Sequence, residues 1–225
     1  DGVGIIERAP RIRLLKVTSD VPDWYELHEY RRLVEAAAKI DPRIHLLVLL
    51  AGSTDLQRGE IITLKWTDLN LKRRFIKVQR SIWIVEGQSH ETSPKGNKGR
   101  VVTMTAALAD ALTRHQHLQG ERVLYADNGK ELSDKVVRRW IERAQRRAGI
   151  EVTGAIHRLR HSFCSMLAAE GATPRAIQEL AGHSHITTTM KYMHLSPASR
   201  DAAIAMLDRA WERPESGETV EKLAS

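Results

Sequence analysis

Residues 154–171, GAIHRLRHSFCSMLAAEG, decide how the rest of the chain is read. Ile156, Leu159, Phe163 and Leu167 recur at helical spacing and are expected to face a core. His157 and Arg160, three residues apart, share a neighbouring face, with Cys164 a further turn along. One face therefore packs while the next presents an imidazole and a guanidinium at fixed separation. The planar Arg fork suits two oxygens of one phosphate, and a His can donate to or accept from the same group. Taken alone, the pair reads as a solvated polar helix face.

The next stretch, residues 172–197, ATPRAIQELAGHSHITTTMKYMHLSP, carries its own punctuation. Thr173 is placed to N-cap a helix with Pro174 at its first position, and Gly182 to end it. His183 then follows the helix end, held by the turn. A further short helix through TTTMKYMH carries Tyr192. Three histidines, His183, His185 and His194, raise the question of a metal. Their spacing matches no common zinc pattern and no cysteine or carboxylate completes one, so no metal site is expected. Tyr192 alone reads as a core tyrosine.

Outward from this region the chain is mostly helical. WYELHEYRRLVEAAAK places Leu27, Tyr30, Leu33, Val34 and Ala37 on one face, and Asp41-Pro42 opens an apolar helix through RIHLLVLLA. The period then changes: in RFIKVQRSIWIV, Ile76, Val78, Ile82 and Ile84 alternate as in one half-buried strand. RVVTM reads as a second strand, joined to the first by the turn-rich SPKGNKGR. Further helices are expected at about 106–118, 133–148, 156–170, 174–181, 186–193 and 197–211. The fold class is therefore α+β, mainly α: a helical domain with a small antiparallel sheet. Residues 1–20 read as a linker or the remnant of an upstream domain, residues 21–213 as the domain itself, and residues 214–225 as a mobile polar tail.

Bulk numbers agree with a nucleic-acid partner. Of 225 residues, 35 are Lys or Arg and 28 Asp or Glu, a formal charge of +7, and the sequence pI is about 9.7. This favours a polyanion. Aromatic residues are only 5% of the chain, which argues against a stacking platform for single strands. One cysteine excludes an internal disulfide framework and suits a reducing compartment. No apolar run has the length of a membrane span and no signal peptide is evident, so a cytoplasmic location and no membrane partner are expected.

In order, HRLRH, LAGH and TTTMKYMH resemble the C-terminal signature of the tyrosine recombinases, the phage integrase family. Upstream, LQRGEIITLKWTDLN resembles the family's first arginine box and SPKGNKGRVVTM its catalytic-lysine hairpin. The resemblance covers residues 21–211. It implies a tyrosine recombinase catalytic domain that cuts and rejoins duplex DNA. Tyr192 would be the nucleophile that forms a 3′-phosphotyrosine link, and Arg160 would hold the non-bridging oxygens. His157 and His183 would bond the same phosphate, and Lys95 would protonate the departing 5′ oxygen. Lys98, Arg100 and Arg158 would contact DNA. Such chemistry needs a nucleophile, an acid and fixed positive charge. The covalent link stores the energy of the broken bond, so no cofactor is implied. In the family the last helix, with Ala202, Ile204, Met206, Leu207 and Trp211, often docks on a neighbouring protomer in a synaptic tetramer; packing on its own domain, as a monomer, is the alternative.

One residue departs from the pattern. The family's box usually reads Gly-Leu-Arg, with the catalytic Arg three positions before a Glu. Anchored on Glu60, that position is Gln57, and the usual Gly is Asp55. Three explanations compete: Gln57 impairs cleavage, Arg58 substitutes through an irregular helix start, or Gln57 sustains weak activity as a neutral donor. The expectation is the first, that Gln57 impairs cleavage. The competing classes are a non-catalytic DNA-binding relative and, more distantly, a type IB topoisomerase relative. The target site and the direction of the reaction are not encoded in these motifs.

Overall fold

In a computed structural model of the chain, the described residues are 23–85, 88–92, 99–117, 119–195 and 200–212. The expected linker at 1–20 and tail at 214–225 lie outside them, as do Lys95 and Lys98.

The central helix is α2 (Pro42–Ser53). Asp41 caps it by accepting from the Arg43 amide at 2.8 Å, and Pro42 occupies the first helical position. Ile44 and the run from Leu46 through Gly52 are all buried, as a helix enclosed on every side requires. Around it pack α1 (Leu27–Ala38), α4 (Ala106–His115), α5 (Asp134–Ala148) and α6 (Ile156–Ala169). Gly52 lets α1 approach: a Cβ there would stand 2.3 Å from the Tyr30 ring. On α1, Leu33 and Ala37 are buried as their spacing predicts, whereas Leu27 at the helix start is 40% exposed.

The strands differ from the single hairpin expected. RFIKVQRSIWIV is two strands, β2 (Phe75–Val78) and β3 (Ser81–Val85), in different sheets. With β1 (Leu69–Asn70), β2 and β5 (Arg100–Thr103) form an antiparallel sheet in the order β1-β2-β5. β3 pairs instead with β4 (Gln88–Thr92), Ser81 opposite Thr92. The break at Gln79-Arg80 has a cause: the Arg80 guanidinium pairs with the buried Asp68 carboxylate, which takes the chain out of the β2 line. Ile76 and Val78 still alternate into the core.

After α6 come α7 (Pro174–Ala181) and α8 (Ile186–Met190), then a 3₁₀ turn at Met193–Leu195 and α9 (Arg200–Glu212). Thr173 caps α7 by accepting from the Ala176 amide at 3.2 Å, and Gly182 ends it in the left-handed region at φ 68°. The C-terminal helices have their own small core of Cys164, Ala168, Ile177, Ala181 and Tyr192. Tyr192 lies just beyond α8 in a turn, not on the helix.

Candidate active site

α6 is the backbone of the site, and a buried polar network fixes where it starts. The Gln145 side chain, fully buried, donates to the Tyr25 hydroxyl at 2.6 Å and accepts from the amides of Thr153 at 3.1 Å and Gly154 at 2.9 Å. The Tyr25 amide donates to Ser162 Oγ at 2.8 Å. These bonds seat the first turn of α6, from which His157 points outward, exposed, while Arg160 is half-buried. Each amide so paired avoids the cost of a buried orphan.

Arg160 does not stand free. Its Nε donates to Asp55 Oδ1 at 3.1 Å and its Nη2 to Asp55 Oδ2 at 2.8 Å. Asp55 follows α2 in a left-handed conformation, φ 52°, that an L-residue adopts at a cost. Burial pushes the Asp55 carboxyl up, against the pull of Arg160. Burial likewise works against the charge of Arg160, but Asp55 outweighs it and the guanidinium is raised.

His183 completes this side. Its Nε2 lies 3.9 Å from Asp55 Oδ2, and its Nδ1 pairs with the buried Thr189 hydroxyl at 2.9 Å. Gln178 brackets its backbone, accepting its amide at 3.0 Å and donating to its carbonyl at 3.1 Å. The ring is nearly parallel to Tyr192, 11° between planes and 6.5 Å between centroids. Burial lowers the His183 imidazole below its usual range.

Tyr192 is 4% exposed. Its hydroxyl pairs with His161 Nδ1 at 2.7 Å. His161 is the site residue that motif reading passed over. Burial first, then His157 and Arg160, push its imidazole down to about 4, so it is neutral near pH 7. Burial also raises the Tyr192 phenol. The overlooked signal was the spacing of His157 and His161, four apart on one helix face, with ring centroids at 6.0 Å.

The arginine-box residues take other places. Gln57 is the N-cap of α3 (Arg58–Thr63), and its amide donates to Glu60 Oε2 at 2.7 Å. α3 starts regularly, without the irregular start that substitution by Arg58 required. The Arg58 Nη2 is held by Asp134 Oδ2 at 2.7 Å, and Arg58 lines an open cleft with Lys135, Arg138 and His157. Arg100 gives both terminal nitrogens to the buried Glu60, at 2.5 and 2.8 Å. Arg158 lies over the Tyr25 ring and pairs with Asp23 at 3.1 Å and Glu151 at 2.9 Å. Both arginines thus join elements of the domain, instead of presenting free cations. Among the described residues no cluster of three or more His, Cys, Asp or Glu is arranged to hold a metal, and no helix is long and apolar enough to cross a membrane.

Comparison with known proteins matches residues 23–199 to the phage integrase family model. The chain is 32% identical over 212 residues to the tyrosine recombinase XerA of Thermococcus kodakarensis, covering 89% of this chain and 70% of that one. It is 32% identical over 207 residues to XerD of Rhizobium meliloti, covering 87% and 62%. Among solved structures, that of XerA recombinase superposes with a TM-score of 0.65 at 26% identity, covering 86% and 66%. The Tn1549 transposon integrase, solved with transposon right-end DNA, shares the fold with a TM-score of 0.72 at 21% identity, covering 88% and 68%. The chain thus spans about two thirds of the length of these relatives.

Proposed function

We infer, since this chain belongs to the phage integrase family, that it cuts and rejoins duplex DNA at a specific site through Tyr192, in impaired form. The observation that supports this is the convergence of Arg160, His183, His161 and Tyr192 from α6, the α7–α8 turn and the turn after α8. With its ring proton on Nε2, His161 accepts the Tyr192 proton at Nδ1. The Tyr192 Oη–P bond forms as the P–O5′ bond breaks, and Arg160 and His183 carry the charge on the non-bridging oxygens. The leaving O5′ takes its proton from an acid, a role the family assigns to Lys95. Rejoining reverses these steps and consumes no cofactor.

Gln57 supplies a neutral amide where the family has a cation. Loss of one transition-state donor costs roughly 10²–10³ in rate in other enzymes. Covalent capture tests the assignment. The chain and its Gln57→Arg variant are incubated with fragmented source DNA and denatured, and the Tyr192 peptide is examined by mass spectrometry for attached nucleotide. The variant should form adduct about a hundredfold faster or more; equal rates in the two would overturn the impairment.

DNA would lie across the cleft of Arg58, Lys135, Arg138 and His157. Binding should weaken with salt at a log–log slope of about −0.9 per phosphate contacted. On DNA, α9 would dock on a second copy through Ile204, Met206, Leu207 and Trp211, which are 59%, 64%, 44% and 75% exposed; sedimentation with and without DNA reads this directly. The second reading, a DNA-binding relative that does not cleave, is favoured by the burial of Tyr192 and predicts no adduct in either chain.

A further inference from the structure

We propose that Asp55 is an internal competitor for the phosphate seat: its carboxylate occupies the Nε/Nη2 edge of Arg160 and keeps the site latent until a phosphodiester displaces it. The proposal rests on the reading of Arg160 as the phosphate-holding residue.

A guanidinium presents two-pronged N–H edges, one of them Nε with Nη2, and a carboxylate and a phosphate each fit such an edge with two oxygens. Asp55 already uses Nε and Nη2 of Arg160, at 3.1 and 2.8 Å. A phosphate arriving at the same edge must move it. The pair is also electroneutral, so the attraction that Arg160 alone would exert on a phosphodiester is cancelled at its source. Oδ2 further stands 3.9 Å from His183 Nε2, so one carboxylate oxygen faces two of the groups assigned to the phosphate.

This contact is built into the backbone. Asp55 is 3% exposed and lies between Thr54 and Leu56, both fully buried. Thr54 Oγ1 donates to the Leu50 carbonyl and accepts from the Leu56 amide at 3.4 Å. A residue at φ 52° is strained unless it is Gly, and Asp is among the side chains that tolerate this region best. Against the Gly-Leu-Arg pattern, Asp55-Leu56-Gln57 gains one negative charge and loses one positive charge within three residues. Both changes act on the same anion. Restoring Arg at position 57 alone would leave the competitor in place.

The test uses inorganic sulfate, which keeps its charge over the working pH range, and involves neither DNA nor cleavage. Sulfate is titrated into the full chain and followed by NMR of the His183 imidazole. The samples are the unmodified chain, Asp55→Asn, Asp55→Gly and the double variant Asp55→Asn/Arg160→Gln. Both single variants should bind sulfate at least about tenfold more tightly than the unmodified chain, and the double variant should lose that gain. Equal affinity in the unmodified chain and both single variants overturns the proposal, as does a gain that survives loss of Arg160. Asp55→Gly keeps the left-handed backbone where Asp55→Asn fails to fold. Should neither fold, the Arg160 Nε–H signal of the unmodified chain decides. Protection from exchange that sulfate releases supports the proposal; an unprotected signal overturns it. A sulfate gain with no Tyr192 adduct, in Gln57→Arg and in Asp55→Gly/Gln57→Arg alike, would uphold the competitor and sink the recombinase reading, and an adduct without a sulfate gain would do the reverse.

Discussion

The Tyr192 hydroxyl and His161 Nδ1 stand 2.7 Å apart, joining the turn after α8 to the middle of α6 across the small C-terminal core. The bond is polar, largely shielded from solvent, and made by two side chains that no local pattern relates.

Removing either partner should therefore cost stability unequally. His161→Ala leaves a buried hydroxyl unpaired and should destabilise by about 1–3 kcal/mol, whereas Tyr192→Phe removes the hydroxyl and should cost about 1 kcal/mol. Urea unfolding of the double variant should show a coupling of roughly 0.5–3 kcal/mol. Strict additivity would mean the bond is not formed in solution.

Acid should weaken the fold before its carboxylates titrate. His161 is pushed down to about 4, while its unfolded counterpart protonates near 6.5. The unfolded chain thus binds a proton that the folded chain refuses. Stability from this group is fully present above pH 6.5 and is lost as pH falls from there to about 4. His45, His115 and His183 are shifted the same way, by burial first, and add to the slope. Urea midpoints measured at pH 7.5, 6 and 5 should fall, and less steeply in His161→Gln; an unchanged slope in that variant would remove His161 from the account.

Gln145→Ala should cost about 3 kcal/mol, because it strands the Thr153 and Gly154 amides together with the Tyr25 hydroxyl. Hydrogen exchange at Thr153 and Gly154 should accelerate along with the loss of global stability. Protected amides in a destabilised variant would contradict this origin.

Gly182→Ala meets two obstacles: φ 68°, and the Arg100 Cδ at 2.8 Å from the new Cβ. Arg100 can swing away only by leaving Glu60. A loss of about 1–2 kcal/mol for the backbone alone should lower the melting temperature by roughly 2–8 °C; a melting temperature equal to that of the unmodified chain would show that the turn tolerates a side chain.

Local chemistry was legible in the sequence where one short segment supplies it. Thr173, Pro174 and Gly182 mark both ends of α7, and Asp41-Pro42 the start of α2, because caps are satisfied by neighbouring residues. The split between β2 and β3 was hidden, since Ile76, Val78 and Ile82 keep their alternation across it and the cause, Asp68 on Arg80, lies twelve residues back. At the site, the motif order pointed to Arg160, His183 and Tyr192. The Asp55–Arg160 pair spans 105 residues, and nothing near Asp55 announces its partner. The partners of Arg100 and Arg158, Glu60 for the first and Asp23 and Glu151 for the second, come from other segments, and no local pattern in the sequence announces them.

The packing of Tyr192 against Cys164, Ala168, Ile177 and Ala181 bears on timing. A phenol enclosed in this way reacts only while the cluster is parted around it. Once DNA is saturating, the pace of adduct formation would be the chemical step multiplied by the open fraction, so longer incubation would raise the yield and more DNA would not. Substitutions that loosen the four contacts, Ile177→Val for instance, would act as an accelerator on the clock while leaving every charged group in place.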